Sequence, residues 1–410
     1  MFRHILKLIT NQWRANVWIL AELLLSFVCL FCVFFFVYQL ATRTWMDKGF
    51  DIDHVYKAEW SMHTDGDGKP FTGSDPKDAL LELIARLRRY PGVEAVCVTG
   101  GASYPYTGNS RGGNVYRDTL SVGDLCQGDV SRDAITVFRY RSIDPSVDLR
   151  REAEKADCLL SQCLMDELFG PGVAKGYMRK DRKKTDDRLA LAVTSNTPRD
   201  EYSGDGGLCW WLTDEAKLLK KPHPLSHCIF LRVRPEADRD FAGRFWREMK
   251  GRLQVGDCMI TNLIPMERVR AQDLNWRGID FYYSFAYVLA GFFLLCAFLG
   301  VIGTFWFRTQ ARTSEIGIRI AMGATPRSVR RLLFAEGLML FALVWVPGMV
   351  LAWLLHDSID VLHFRVSGPL AFTLIGLLTT LVMAMLITAG VWAPARQASR
   401  INPVDALRYE

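Results

Sequence analysis

The 410-residue sequence lacks most of the short motifs on which common enzymes and metalloproteins depend. It has no G-x-x-x-x-G-K-[ST] nucleotide-binding loop, and the glycine-rich lysine stretch at residues 170–176 has the wrong spacing. It has no H-E-x-x-H zinc motif, and the prolines that flank His223 argue against a helical metal face shared with His227. The acidic stretch at residues 65–68 begins like a calcium loop but lacks the remaining ligands. We therefore expect no catalytic residues, no metal site and no bound cofactor in this chain.

The formal net charge is small, at +6, and its distribution is more informative than its size. Residues 41–280 carry 37 Lys and Arg against 37 Asp and Glu, whereas the other 170 residues carry 13 against 7. The middle of the chain is therefore neutral, and the two ends are basic and apolar. This distribution indicates an integral membrane protein. It argues against a cytosolic enzyme and against a nucleic-acid-binding protein, in which basic charge would lie on a soluble face.

Four long apolar runs contain almost no charge and lie at residues 17–41, 281–307, 332–355 and 369–392. The first has 25 residues, and a helix of this length spans roughly 37 Å, more than a hydrocarbon core of about 30 Å. The competing interpretation, a cleaved signal peptide, has a shorter apolar core. The predicted fold class is membrane α-helical, with four transmembrane helices and a large extracytoplasmic α+β domain inserted between helices 1 and 2.

Basic residues outside the runs predict the orientation, because Lys and Arg collect on the cytoplasmic side. Twelve of them lie in a leader at residues 1–16, a loop at 308–331 and a tail at 393–410, against one in the short loop at 356–368. We therefore expect both termini in the cytoplasm and a multi-pass location in the cytoplasmic (inner) membrane. Residues 42–280, a domain with its stalks, would lie in the periplasm.

Ionisable side chains inside the four runs are scarce. Only Glu22 and Glu336 occur there, each about one turn from the cytoplasmic end, and no His or Asp accompanies them. An ion-coupled carrier needs such groups near the middle of the bilayer. The sequence therefore disfavours that class of transporter.

The middle of the chain contains patterns of both helix and strand. A helical spacing of apolar residues over 78–90 is ended by Pro-Gly before a strand at 93–98. An alternating strand at 227–233 precedes a helical pattern over 238–253, and we interpret residues 158–170 as a further helix. Both orders of element are expected in an α+β domain.

Seven of the ten cysteines lie in this middle part at irregular spacing. At least one must be unpaired, and up to three disulfides would be compatible with an oxidising periplasm, with the pairing left open. The stretches at residues 109–114 and 179–184 are interpreted as exposed loops.

The loop between the second and third apolar runs has a strong local pattern. Glu315 lies three residues after Arg312 and four before Arg319, so one helical face carries an acid between two bases. Gly323 and the later Pro326 predict a short amphipathic helix, a tight turn and a helix that re-enters the membrane. A basic anchor lying on anionic lipid of the bilayer is the competing interpretation.

The same part of the chain carries recognisable motifs. E-I-G-I-R occupies residues 315–319, M-G-A-T-P occupies 322–326, and E-G-L occupies 336–338. The tail at 394–408 has the pattern P-A-x-x-A-x-x-x-x-P-x-x-A-L-R, and G-F-D-I-D-H-V at 49–55 follows the first membrane segment. Together these motifs resemble the FtsX-like permease domain and the MacB-like periplasmic core domain of MacB-type ABC transporter subunits.

The resemblance implies a function without catalysis in this chain. In that family the short helix is a coupling helix, and its docking residues here would be Arg312, Glu315, Ile316, Gly317, Ile318, Arg319, Met322, Gly323 and Ala324. The partner would be a separate ABC ATP-binding subunit, which would bind the ATP and Mg. The resemblance also implies a dimer with a second permease copy or a paralogue, and a periplasmic adaptor or effector. ATP-driven motion would reach the periplasmic domain, for export or extraction of a substrate or for control of a periplasmic partner.

An alternative from another class is a membrane-anchored periplasmic binding or sensor protein without ATPase coupling. It predicts no dependence of function on the short helix. In the tail, Asn402, Pro403 and Asp405 have the order of an N-cap and a first helical turn, which predicts a short interfacial helix. The identity of the substrate does not follow from any of these residues.

Overall fold

The computed structural model describes most of the chain. The described residues are 13–399 except 66–70, 72–74, 102, 108–112, 118–119, 124–125, 172, 174–175, 179–188, 199, 203–206 and 357–367. Five of the sequence predictions fall wholly or largely outside them: those for the leader, the exposed loops, the short loop at 356–368, the acidic stretch at 65–68 and the interfacial helix of the tail.

Contacts divide the chain into two units, Met1–Thr44 with Asp280–Glu410, and Trp45–Ile279. The described α-helices are α1 (Trp13–Trp45), α2 (Pro76–Arg89), α3 (Ala134–Val137), α4 (Leu149–Lys155), α5 (Gln162–Phe169), α6 (Glu215–Leu218), α7 (Phe241–Glu248), α8 (Met266–Trp276), α9 (Ile279–Ala311), α10 (Thr313–Ala321), α11 (Pro326–His356) and α12 (Pro369–Ala398). The described strands are β1 (Val55–Met62), β2 (Val93–Gly100), β3 (Val115–Arg117), β4 (Leu120–Val122), β5 (Cys126–Val130), β6 (Cys158–Ser161), β7 (Tyr177–Met178), β8 (Leu189–Thr194), β9 (Leu208–Leu212), β10 (His227–Val233), β11 (Gln254–Val255) and β12 (Cys258–Pro265).

The first unit consists of membrane-length helices. Helices α1, α9, α11 and α12 are each long and apolar enough to cross a membrane. Bare glycines let them approach closely, because a Cβ atom on Gly348 would lie 2.7 Å from Cδ1 of Phe27 and one on Gly390 would lie 2.7 Å from Cγ1 of Val301. With an α+β unit between the first and second of these helices, the predicted fold class is confirmed.

The second unit is built on a ten-stranded sheet with the order β11-β12-β1-β10-β2-β5-β9-β6-β8-β7. Along β10 the side chains alternate between two cores, with Ile229 and Leu231 on one face and Phe230 on the other. Helices α2 and α7 pack on the core that contains Ile229 and Leu231, and in it Leu83 and Phe245 are at most 1% exposed. The helix, the strand after it and the strand at 227–233 predicted from apolar spacing are confirmed.

Two predicted elements differ from the structure. Residues 158–170 are a strand, β6, followed by the helix α5, and all four residues of β6 are buried between β8 and β9. A short continuous apolar run fits a buried strand as well as a buried helix, so its spacing could not separate them. The helix expected over 238–253 is confined to α7, because Asp240 before it has a left-handed φ of 54° and the chain turns at Gly251, whose φ is 79°.

The sheet has two halves, which meet where β2 pairs with β5 through Thr99 and Val130 and where the Ser131 N–H donates to the Val98 carbonyl. The first half is β11-β12-β1-β10-β2, and the second half is β5-β9-β6-β8-β7. A common core that contains Phe230 and Trp210 packs across the junction. Both chain segments that lead to membrane-length helices belong to the first half, since β1 follows α1 and α8 follows β12.

The cysteines are thiols in the structure. Cys97, Cys158, Cys209, Cys228 and Cys258 are buried in the second unit and act as small apolar core residues. Cys158 and Cys209 lie on neighbouring strands, with Sγ atoms 3.3 Å apart.

Candidate functional site

The short helix α10 connects α9 to α11 through tight turns. It follows Arg312 directly and ends at Ala321, with Met322 as the C-cap, after which Gly323 takes a φ of 96° that favours glycine. The N–H of Ala324 donates to the carbonyl of Arg319, and Thr325 caps α11 by accepting from the Ser328 N–H at 3.3 Å. The helix, turn and re-entering helix predicted from the sequence are confirmed.

Two acids hold α10 against the neighbouring helices. Glu315 accepts from Arg312 at 2.9 Å and from Arg319 at 2.7 Å, as the spacing predicts. Glu336 of α11 accepts from Arg308 of α9 at 3.0 Å and from Arg312 at 3.1 Å. Arg312 thus bridges both carboxylates, and the group ties three helices together. We call these five residues the arginine–glutamate network.

The network is closed to solvent at its centre. The Glu336 side chain is only 4% exposed, and those of Arg308 and Arg312 are 11% and 12% exposed. The cavity beside them measures about 20 Å³, room for about one water molecule. The hydrogen bond from Arg312, followed by its charge and the contact from Arg319, lowers the pKa of Glu315 below the ordinary carboxyl value. The acid is therefore charged at neutral pH.

The nine residues predicted for docking do not share one surface. Ile316 and Gly317 are buried against the other helices, and Arg312, Glu315 and Arg319 are engaged in the network. The remainder are exposed or half-buried, namely Ile318, Met322, Gly323 and Ala324.

Ile318 and Met322 form the apolar part of the outer face of α10. They lie four residues apart and therefore adjoin on the helix, with 47% and 76% exposure. We call this pair the α10 patch. A groove of about 220 Å³ lies at the start of α10 and is lined by Trp306, Thr309, Gln310, Thr313, Pro394, Gln397 and Ala398. Pro394 and Ala398 belong to the predicted closing pattern of the tail.

Sequence reasoning missed the role of Glu336. It identified the residue as an isolated acid near the end of an apolar run, because its partners come from a different helix. The available signal was its place at the start of the E-G-L motif. The structure shows that this motif and E-I-G-I-R meet through Arg312.

The motif at residues 49–55 has a structural role in the second unit. Arg232 of β10 is fully buried and donates to the carbonyls of Asp51, Asp53 and Val137 at 2.6, 2.9 and 2.6 Å. It also contacts the Asp51 carboxylate at 3.3 Å. The motif therefore wraps around one buried guanidinium, a partner that its own sequence does not reveal.

A serine motif and His227 resemble parts of enzyme sites. The sequence contains one G-x-S-x-G pattern, at residues 108–112, which lies outside the described residues. A nucleophile of this type sits between a strand and a helix, whereas residues 113–114 are irregular and lead into a strand, β3. His227 is held by backbone, with Nε2 3.1 Å from the Leu218 carbonyl and Nδ1 accepting from the His223 N–H.

The fold shows the class of protein: a multi-pass membrane protein with a large α+β domain between its first two membrane helices. Residues 287–403 match the FtsX-like permease C-terminal family. This part of the chain is thus an FtsX-like permease domain, and the resemblance to that domain predicted from the motifs is confirmed.

Curated relatives match this same part of the chain. The chain is 36% identical over 124 residues to the pyoverdine export ATP-binding/permease protein PvdT of Pseudomonas entomophila, covering 30% of this chain and 18% of that protein. It is 34% identical over 127 residues to the macrolide export ATP-binding/permease protein MacB of Rhodopirellula baltica, with the same coverage. The chain spans about a fifth of the length of these relatives.

Two solved structures are similar to about half of the chain. The extracellular domain of the transporter YknZ from Gram-positive bacteria has 9% identity and a TM-score of 0.30, covering 50% of this chain and 100% of that one. The periplasmic region of MacB from Actinobacillus actinomycetemcomitans has 10% identity and a TM-score of 0.30, covering 52% and 90%.

Proposed function

We propose that this chain is the transmembrane subunit of an ABC transporter and that a separate ATP-binding subunit docks on α10. The observation that carries the proposal is the α10 patch. Ile318 and Met322 are exposed on a helix that buried ion pairs fasten to α9 and α11. An exposed apolar pair on a helix that ion pairs hold in place suits a protein partner, and Arg308, Arg312 and Arg319 are engaged in the network and not with lipid headgroups.

Force applied at α10 would reach the membrane helices directly. Arg312 and Glu336 connect α10 to α11, and Arg308 connects the same carboxylate to α9. Helix α9 is continuous for 33 residues and follows α8 of the second unit along the chain. Motion of the partner would thereby be transmitted to the periplasmic domain without passage through a polar channel.

The orientation and assembly belong to the same proposal. The termini and α10 would lie in the cytoplasm and residues 42–280 in the periplasm, in the inner membrane. Two copies, or this chain with a paralogue, would form the transporter, and a periplasmic adaptor or effector would receive the motion. The names of the relatives support an export role for this type of permease domain, while pyoverdine and macrolides are substrates of those proteins.

The test changes the two residues of the α10 patch and leaves the arginine–glutamate network intact. If the proposal is right, an ATP-binding protein co-purifies in detergent with the wild-type full chain, and the double variant Ile318→Glu/Met322→Glu should lose it. The matched control is Leu225→Glu, an apolar residue with 85% exposure in the second unit, which should leave the complex unchanged. Unchanged association and ATPase rate in the double variant would refute docking on α10.

The same experiment separates the alternative. A membrane-anchored binding or sensor protein would tolerate the double variant and would retain no ATP-binding protein under any condition. That outcome would favour the alternative over the transporter.

A further inference from the structure

A second buried ionic cluster lies in the unit Trp45–Ile279. Asp200 and Glu201 have fully buried side chains in the loop between β8 and β9, in the second half of the sheet. Their partners come from the first half, from the two chain segments that lead to the membrane helices. The cluster therefore joins parts of the domain that are distant along the chain.

The segment that leads to α9 is held by both acids. Arg270 of α8 donates to Glu201 Oε1 through Nε at 2.8 Å and through Nη2 at 2.5 Å. Arg277, just after α8, pairs with Asp200 and donates to the Tyr202 carbonyl at 3.5 Å. The apolar core contacts of α8 end at Val269, and its second half is held by these ion pairs and by the buried Asp273, 3.9 Å from Arg277.

The segment that follows α1 reaches the same loop. Lys48 Nζ lies 3.7 Å from Glu201 Oε1. Gly49, with a φ of 69°, passes so close that a Cβ atom there would lie 2.6 Å from Ser195 Oγ. The Arg141 N–H donates to the Gly49 carbonyl at 3.0 Å, and the Ser195 N–H donates to the Arg141 carbonyl at 2.9 Å.

Tyr106 lies between the two basic groups. Its ring centroid is 6.0 Å from Lys48 Nζ and 5.9 Å from the Arg270 guanidinium carbon. Burial, followed by the charge of Glu201, raises the pKa of Tyr106, and its neutral ring lies within cation–π distance of both groups. The Glu201 carboxylate and the Tyr106 ring thus each lie close to basic groups of both segments, Lys48 and Arg270.

We infer that Asp200 and Glu201 form a clamp that makes residues 46–50 and 266–277, which we call the two stalks, move as one body with the second half of the sheet. The stalk clamp consists of Asp200 and Glu201 with Lys48, Arg270 and Arg277. Without it, the second half of α8 and the residues before Gly49 could bend independently of the domain. The use of the clamp in transport rests on the proposed function, but its mechanical effect does not.

The test uses the full chain in detergent and needs no ATPase. In Asp200→Asn/Glu201→Gln, amide hydrogen exchange in residues 46–50 and 266–277 should become at least about 10-fold faster in both segments together, because both lose charged partners. Exchange in β10 should stay unchanged. The control Glu82→Gln removes an exposed pair with Arg86 and should change neither segment.

Two outcomes would overturn the clamp: no change in either segment, or faster exchange in only one of them. If the double variant loosens the whole domain, Arg270→Gln provides the second measurement, since Arg270 is 33% exposed and its loss leaves the acids with Lys48 and Arg277. The double variant Arg270→Gln/Glu201→Gln should exchange little faster than either single variant, because both changes remove the same ion pair. Fully additive increases in exchange would refute the pairing.

Failure of the proposed function is distinguishable from failure of the clamp. If no ATPase docks, the α10 variants change nothing, while the clamp variants still loosen both stalks. If the transporter is correct and the clamp is not, the clamp variants retain wild-type exchange while the α10 variants lose the partner.

Discussion

Loss of the Glu336 charge should release α10 from the helices that hold it. In Glu336→Gln, Arg308 and Arg312 keep their buried positions but lose the carboxylate that both contact at 3.0–3.1 Å. Removing one partner of a buried ion pair costs about 3–5 kcal/mol. Gln retains one acceptor oxygen and Arg312 retains Glu315, so we expect the lower end of that range, about 3 kcal/mol.

The assay is amide hydrogen exchange of the full chain in detergent, followed in peptides that cover α10. A change of about 3 kcal/mol in local opening corresponds to exchange roughly 100-fold faster. Glu94→Gln is the matched control, because its pair with Arg139 is exposed and contributes about 0–1 kcal/mol. Wild-type protection of α10 would refute the reasoning, and equal loss in all four membrane helices would show that the network stabilises the bundle instead.

Three further predictions concern single residues. Gly49→Ala should destabilise the second unit by at least about 1–2 kcal/mol in denaturant unfolding of the full chain, whereas Gly251→Ala, with a similar φ but open space, should cost less; equal costs would contradict the close approach. Arg232→Lys should lower the melting temperature, because one ammonium cannot reach all the carbonyls that the guanidinium serves, and a wild-type value would count against that role. The lowered pKa of Glu315 means that its pairs stabilise α10 above pH 4.5 and are lost as the pH falls through the lowered value. The melting temperatures of wild type and Glu315→Gln should therefore differ constantly from pH 7 to about 5 and converge at lower pH; a difference that grows on acidification would reverse the sign.

Much of the fold follows from local pattern. The four apolar runs predicted four membrane-length helices because a helix in lipid must satisfy its own backbone, so length and composition are sufficient evidence. The helix α2 and the strands β2 and β10 were predictable because each presents one side to a core at a regular period. The strand β6 was not, because it is buried on both faces and has no period to detect.

The candidate site was predictable in part. The pairs of Glu315 lie within one turn of helix, and their spacing alone identified them. The pairs of Glu336 span 24 and 28 residues, and those of Glu201 span 69 and 153. Sequence spacing does not predict contacts at these separations, so the network and the stalk clamp became visible only in the tertiary structure.

The sequence by itself determined the membrane helices, the α+β domain between the first two, the short helix α10 and the FtsX-like permease domain, since all of these depend on local composition and motif. Only the tertiary structure decided which face of α10 is available. Ile316 and Ile318 are equally apolar, yet packing leaves Ile316 only 6% exposed and Ile318 47% exposed. Helical periodicity shows which residues share a face of the helix. Which face is buried depends on the elements that pack against the helix in the folded protein.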